Sequence, residues 1–190
     1  MGLATMKPVY YFGFGAIALI IAACAQSAGA PQPDAPDLLH RSIKALSDQQ
    51  VADLKAGRGM GLALAAELNG YPGPTHALEL ADKIALSQNQ RSRTETLLAA
   101  MKGETVPIGE EVIALEGALD KQFAEKTVTP QSLDSATAAI GAANARLRST
   151  HLKYHLAMLE ILDPAQVSAY THLRGYAAGG AAFDHHHHSP

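Results

Sequence analysis

His151 and His155 stand in "STHLKYHLAM", residues 149–158. On a helix, side chains four positions apart lie one above the other on a single face, where two neutral imidazoles can share one divalent ion. Met158 lies on that face too and would add a soft thioether. A closed structural zinc site takes four ligands. Two histidines are only part of such a set, so the simpler reading of His151 is a neutral imidazole buried and hydrogen-bonded in helix packing. His185, His186, His187 and His188 would add ligands, and the same run reads equally as a cloning remnant. Imidazole donors of this kind suit Zn, Ni or Cu. His40, His76 and His172 are isolated in the sequence and read as surface or packing residues.

The other reactive side chain is the only cysteine, Cys24. Lys7 precedes the apolar run "VYYFGFGAIALIIAA", which ends at that cysteine, the pattern of a charged n-region and a signal-peptide h-region. The run is too short and too interrupted by glycine to read as a spanning helix. "IAAC", residues 21–24, resembles a bacterial lipobox, with Ile21 where Leu is common. The resemblance implies removal of residues 1–23 and diacylglycerol on the Cys24 thiol. Ala25, in place of an aspartate, implies sorting to the outer membrane, facing the periplasm. Acyl chains contribute about 0.8 kcal/mol per buried CH₂, so several of them would anchor the chain firmly. With Cys24 lipidated, no thiol remains for a disulfide. Residues 24–37, "CAQSAGAPQPDAPD", lack apolar periodicity and read as a semi-extended tether.

Several function classes are disfavoured. The net charge of −3, with Lys and Arg scattered, offers no basic stripe for nucleic acid. "GRGMG", residues 57–61, is not closed by Lys-Ser/Thr and so does not cradle phosphate. No histidine accompanies a plausible Ser or Cys nucleophile in sequence, and Glu104, Glu110 and Glu111 read as a solvated helix face. A non-enzymatic protein is expected.

The elements that would position these groups are helices. Hydrophobic residues make up 47% of the 190, yet aromatics only 5% with no Trp, so a core of Ala and Leu favours close helix packing. Three phrases punctuate the chain: "LSDQQ" at 46–50, "LSQNQ" at 86–90 and "LDPAQ" at 162–166. Ser47 with Gln50, Ser87 with Gln90 and Asp163 with Gln166 have capping-box spacing, and Leu46, Leu86 and Leu162 precede each as candidate staples. Pro164 suits the first helical position.

A first helix is expected from about Asp48, loosened by "GRGMG", resuming as "LALAAELN" and stopped by "GYPGP" at 70–74. "HALELADKIA" is expected to form a short helix leading into Ser87. The longest should follow Ser87, with Leu97, Met101, Ile108, Val112, Leu115, Leu119 and Phe123 on one buried face and a kink at Pro107. Thr129 and Pro130 should start another, with a heptad seam of Leu133, Thr137, Ile140, Asn144, Leu147, His151, Tyr154, Met158 and Ile161. The two long helices should pack as an antiparallel hairpin. A last helix from Pro164 should end near Gly175, and residues 177–190 read as a disordered tail.

An exported, Ala- and Leu-rich helical chain repeating Leu-Ser/Thr-x-x-Gln resembles the Spy/CpxP family and its LTxxQ motif over residues 38–176. Ser stands for Thr in two copies and Asp in the third, and "GMGLALAAELNGYPGP" has no counterpart in the pattern. The resemblance implies an all-α, elongated helical hairpin of four to five helices, an antiparallel homodimer, whose concave face holds unfolded or partly folded envelope proteins without ATP or any required cofactor. Met101 and Met158 would be adaptable client contacts, or else core. The family's zinc-responsive and nickel/cobalt-sensing relatives imply an alternative: a heavy-metal sensor centred on His151 and His155, working with a sensor kinase or sigma regulator. A structural envelope lipoprotein is the third alternative.

Overall fold

The computed structural model describes residues 35–176. The signal peptide, Cys24, most of the tether and His185 to His188 lie outside the described residues. Among the described residues the regular structure is all helix: α1 (Ala35–His40), α2 (Asp48–Lys55), α3 (Leu64–Glu67), α4 (Pro74–Glu79), α5 (Gln88–Ala124), α6 (Pro130–Met158) and α7 (Pro164–Leu173). Helix therefore begins at Ala35, three residues inside the segment read as a tether.

The repeated phrases are helix starts. Ser47 Oγ accepts from Gln50 N at 3.2 Å while Gln50 Oε1 accepts from Ser47 N at 2.8 Å, and α2 follows. Ser87 and Gln90 start α5 in the same way, at 3.2 and 3.0 Å. Asp163 and Gln166 start α7, at 2.8 and 3.0 Å. A fourth reciprocal cap joins Thr129 and Ser132 at the start of α6, with Pro130 in the first turn.

Helices α5 and α6 form the antiparallel hairpin. Glu111 pairs with Arg146, Glu104 with Lys153 and Tyr154, and Arg93 reaches the Glu160 carbonyl, so contacts run backwards along α6 as α5 advances. At 37 residues, α5 is about 55 Å long. It continues unbroken through Pro107; the carbonyl that proline deprives of its donor belongs to exposed Gly103, where water can replace the bond.

Helices α2 to α4 cover part of this hairpin and divide the core in two. One cluster joins Ala77, Ile84, Met158, Ile161, Leu162 and Tyr170, with Leu86 and Leu97 packed on it. The other joins Leu54, Val112, Ala143 and Leu147, with Leu46 and Ile108 packed on it. Gly109 allows the second: a Cβ there would stand 2.5 Å from the Leu54 carbonyl oxygen.

Four expectations change. The helix from Asp48 stops at Lys55, because Gly57, Met60 and Gly61 all take positive φ and break the turn, and "LALAAELN" resumes only as the single turn of α3, Leu64–Glu67. The segment after "GYPGP" is helical only to Glu79 and continues as turns. Phe123 is not on a buried face but 55% exposed, since it lies at the far end of α5. The seam on α6 holds from Leu147 onward, whereas Thr137 and Asn144 are exposed and bond back to carbonyls of their own helix.

Candidate functional site

Two features bring sequence-distant polar groups together, and both depend on where α6 ends. The first lies where the starts of α5 and α7 meet. Gln90 Nε2 donates to Gln166 Oε1 at 2.7 Å and to the Ile161 carbonyl at 2.8 Å. Gln166 Nε2 returns the pair, to Gln90 Oε1 at 3.0 Å and to the Ala85 carbonyl at 3.3 Å. Each amide therefore caps its own helix, bonds its counterpart and reaches the carbonyl just before the other copy's leucine. Both amides use every donor and acceptor they carry. Gln50, the third copy, makes only its own cap and is exposed.

The second feature is a cavity of about 260 Å³ beside α3, α4 and α6, lined among others by Glu67, Gly73, His76, Met101, His151 and His155. His155 Nδ1 lies 2.8 Å from the Tyr71 carbonyl. A carbonyl only accepts, so Nδ1–H is the donor in this contact. Nε2 and Glu67 Oε1 both stand close to Gly73, 3.2 and 3.3 Å from where a Cβ would be. Glu67 is held from behind: Tyr176 donates to its Oε2 at 2.8 Å, and Arg174 lies 3.7 Å from the same oxygen. His76 Nε2 is 3.8 Å from Glu67 Oε1, while His76 Nδ1 pairs with Glu79 at 2.8 Å.

His151 is 2% exposed. Burial holds its imidazole below its ordinary pKa, and the neighbouring His155 adds to that, so the ring is neutral. Two buried side-chain nitrogens among the described residues find no hydrogen-bond partner, His151 Nε2 and Arg174 Nε, and both residues line this cavity. An unpartnered buried polar atom costs free energy unless a ligand or water meets it.

No known protein family, curated protein or solved structure matches this chain. The likeness to the LTxxQ proteins therefore rests on the repeated phrases of the sequence alone.

The structure brings His151 and His155 together on one cavity wall, as their spacing requires. Met158 is not with them: it is fully buried in the core cluster with Tyr170, so it is neither a cavity ligand nor a surface contact. Met101 is 5% exposed and lines the cavity, which gives it no open face for a client. His76, read as an isolated surface or packing residue, lines the cavity. Glu67, Gly73, Arg174 and Tyr176 were missed. The available signal was "ELNGYPGP", residues 67–74, where a glutamate precedes a turn dense in Gly and Pro. Among the described residues, no group of three His, Cys, Asp or Glu side chains closes on one point as a metal would require.

Proposed function

We propose that the chain is an ATP-independent holding chaperone or envelope-stress adaptor of the LTxxQ kind, tethered through Cys24 to the outer membrane and facing the periplasm. The observation that carries this reading is an apolar stripe turned away from the core. Leu152, Leu156 and Leu159 share one face of α6 and its end by their spacing, and Leu156 and Leu159 are 58% and 38% exposed. Leu64 on α3 and Leu68 just past its end are also exposed. Apolar residues at this spacing normally face a core. Here they are left for a partner, which suits the apolar segments of an unfolded or partly folded envelope protein. Holding such a segment requires no nucleotide and no catalytic step, and release follows from client folding.

As an adaptor the same stripe would engage a sensor kinase or sigma regulator, and as a homodimer two copies would frame the client face. The test is light scattering from a reduced, aggregating client at equimolar protein. Wild type should suppress aggregation and Leu156→Ser/Leu159→Ser should not. Both substitutions are at exposed positions, so the fold is kept. Failure of the wild type to suppress would overturn the proposal, and a weakened monomer–dimer equilibrium with unchanged suppression would reassign the stripe to dimerisation.

A further inference from the structure

We propose that the cavity beside α3, α4 and α6 binds a free α-amino acid with an apolar side chain, its ammonium group on Glu67 and its carboxylate on Arg174. The proposal does not rest on client holding: Leu152, Leu156 and Leu159 line no part of this cavity.

Charge selects the class of ligand. Besides its histidines, the lining carries one carboxylate, Glu67, and one guanidinium, Arg174, with 3.7 Å between Arg174 Nη2 and Glu67 Oε2. A net anion would meet Glu67 and a net cation would meet Arg174, each at a cost in a partly enclosed site. A molecule with one charge of each sign satisfies both. An α-amino acid carries its two charges on either side of a single carbon, which suits a carboxylate and a guanidinium standing side by side. His151, held neutral by burial, sets no further positive charge against the ammonium.

Both ionic groups also keep hydrogen-bonding capacity in reserve. Tyr176 takes Glu67 Oε2, whereas Glu67 Oε1 accepts no hydrogen bond among the described residues and has His76 Nε2 at 3.8 Å. Arg174 donates through Nη2 to Tyr176 but has no partner at Nε. His151 Nε2 is the other orphan, and a ligand offering both donors and acceptors can meet either tautomer of that ring.

The rest of the wall suits an aliphatic or thioether side chain, since Met60, Leu64 and Met101 line it. A volume of about 260 Å³ corresponds to about nine waters at roughly 30 Å³ each, close to the size of leucine or methionine and short of a dipeptide. Glycine keeps two walls thin. A Cβ at Gly73 would stand 2.8 Å from His155 Cε1 and 3.3 Å from Glu67 Oε1, whereas one at Gly59 would meet His151 Nδ1 at an ordinary 3.8 Å.

The test is isothermal titration of the full chain with L-leucine and with L-methionine, beside isoamylamine and isocaproate, which each keep one of the two charges. One equivalent of amino acid should bind and raise the melting temperature as ligand linkage requires. Each single-charge probe should bind at least about tenfold more weakly, the loss of one charge-assisted contact, and so should the amino acid to Glu67→Gln or Arg174→Gln. Should either variant unfold, Gly59→Val decides: its Cβ fits the backbone, its methyl groups fill cavity space, and it should abolish binding while the ligand-free melting temperature stays unchanged. Absence of saturable binding by either amino acid, an amine or acid alone binding as tightly as the amino acid, or unchanged affinity in Gly59→Val would overturn the proposal.

Discussion

Gln166→Ala should cost the protein far more than the loss of a helix cap. The Gln166 amide accepts from Asp163 N and Gln90 Nε2 and donates to the Ala85 carbonyl and Gln90 Oε1. A typical hydrogen bond contributes about 0.5–1.5 kcal/mol net, and Gln90 would be left with unmet groups beside a buried leucine, so we expect a loss of about 2–4 kcal/mol. Gln90→Ala should cost a similar amount, whereas Gln50→Ala removes only an exposed cap bond and should cost about 1 kcal/mol or less. Either single change at Gln90 or Gln166 already breaks both amide–amide bonds. The double variant should therefore lose about 1–2 kcal/mol less than the two singles added together. Equilibrium urea unfolding of the four variants measures this, provided the denaturant slope is constant. Equal losses at Gln50, Gln90 and Gln166, or strict additivity at the last two, would refute the linkage between helix starts.

Other substitutions probe the scaffold. Gly109→Ala should destabilise by about 1–3 kcal/mol despite the better helix propensity of Ala, because its methyl meets the Leu54 backbone, and urea unfolding would show it. Pro107→Ala should raise the urea midpoint, since it restores a donor to the Gly103 carbonyl in an exposed stretch of α5; a fall would mean that the proline serves packing. His151 makes stability depend on pH. Its folded pKa is lowered from 6.5, so the unfolded chain binds the proton more readily, and its contribution is complete above about 6.5 and declines as pH falls. The urea midpoint should therefore drop between pH 7.5 and 5.5, and less so in His151→Gln; an equal drop in both would place the effect elsewhere.

What the residues disclosed in advance was local. A capping box needs only a Ser, Thr or Asp with a partner three positions on, so Ser47, Ser87, Thr129 and Asp163 were all legible as helix starts. The hairpin followed from the length of two apolar stripes. The contact between Gln90 and Gln166 was not legible, because it joins residues 76 apart in sequence and exists only once α6 has turned back along α5. Glu67 was hidden for a related reason: the positive-φ residues between α2 and α3 redirect the chain, and no periodicity records where it goes. Phe123 and Asn144 fitted their stripes yet stay exposed, since a helical period cannot say whether a second layer covers that stretch. The Leu152, Leu156 and Leu159 stripe was present in the sequence but lay off the expected seam.

The most direct test of the account is client aggregation measured beside the leucine variant. With equimolar wild-type protein and no nucleotide, scattering from a reduced client should be suppressed, and Leu156→Ser/Leu159→Ser should restore it while leaving the circular dichroism spectrum and melting temperature unchanged. Unsuppressed scattering with the wild type, or full suppression by the well-folded double variant, would contradict the claim that this outward stripe on α6 is where clients are held.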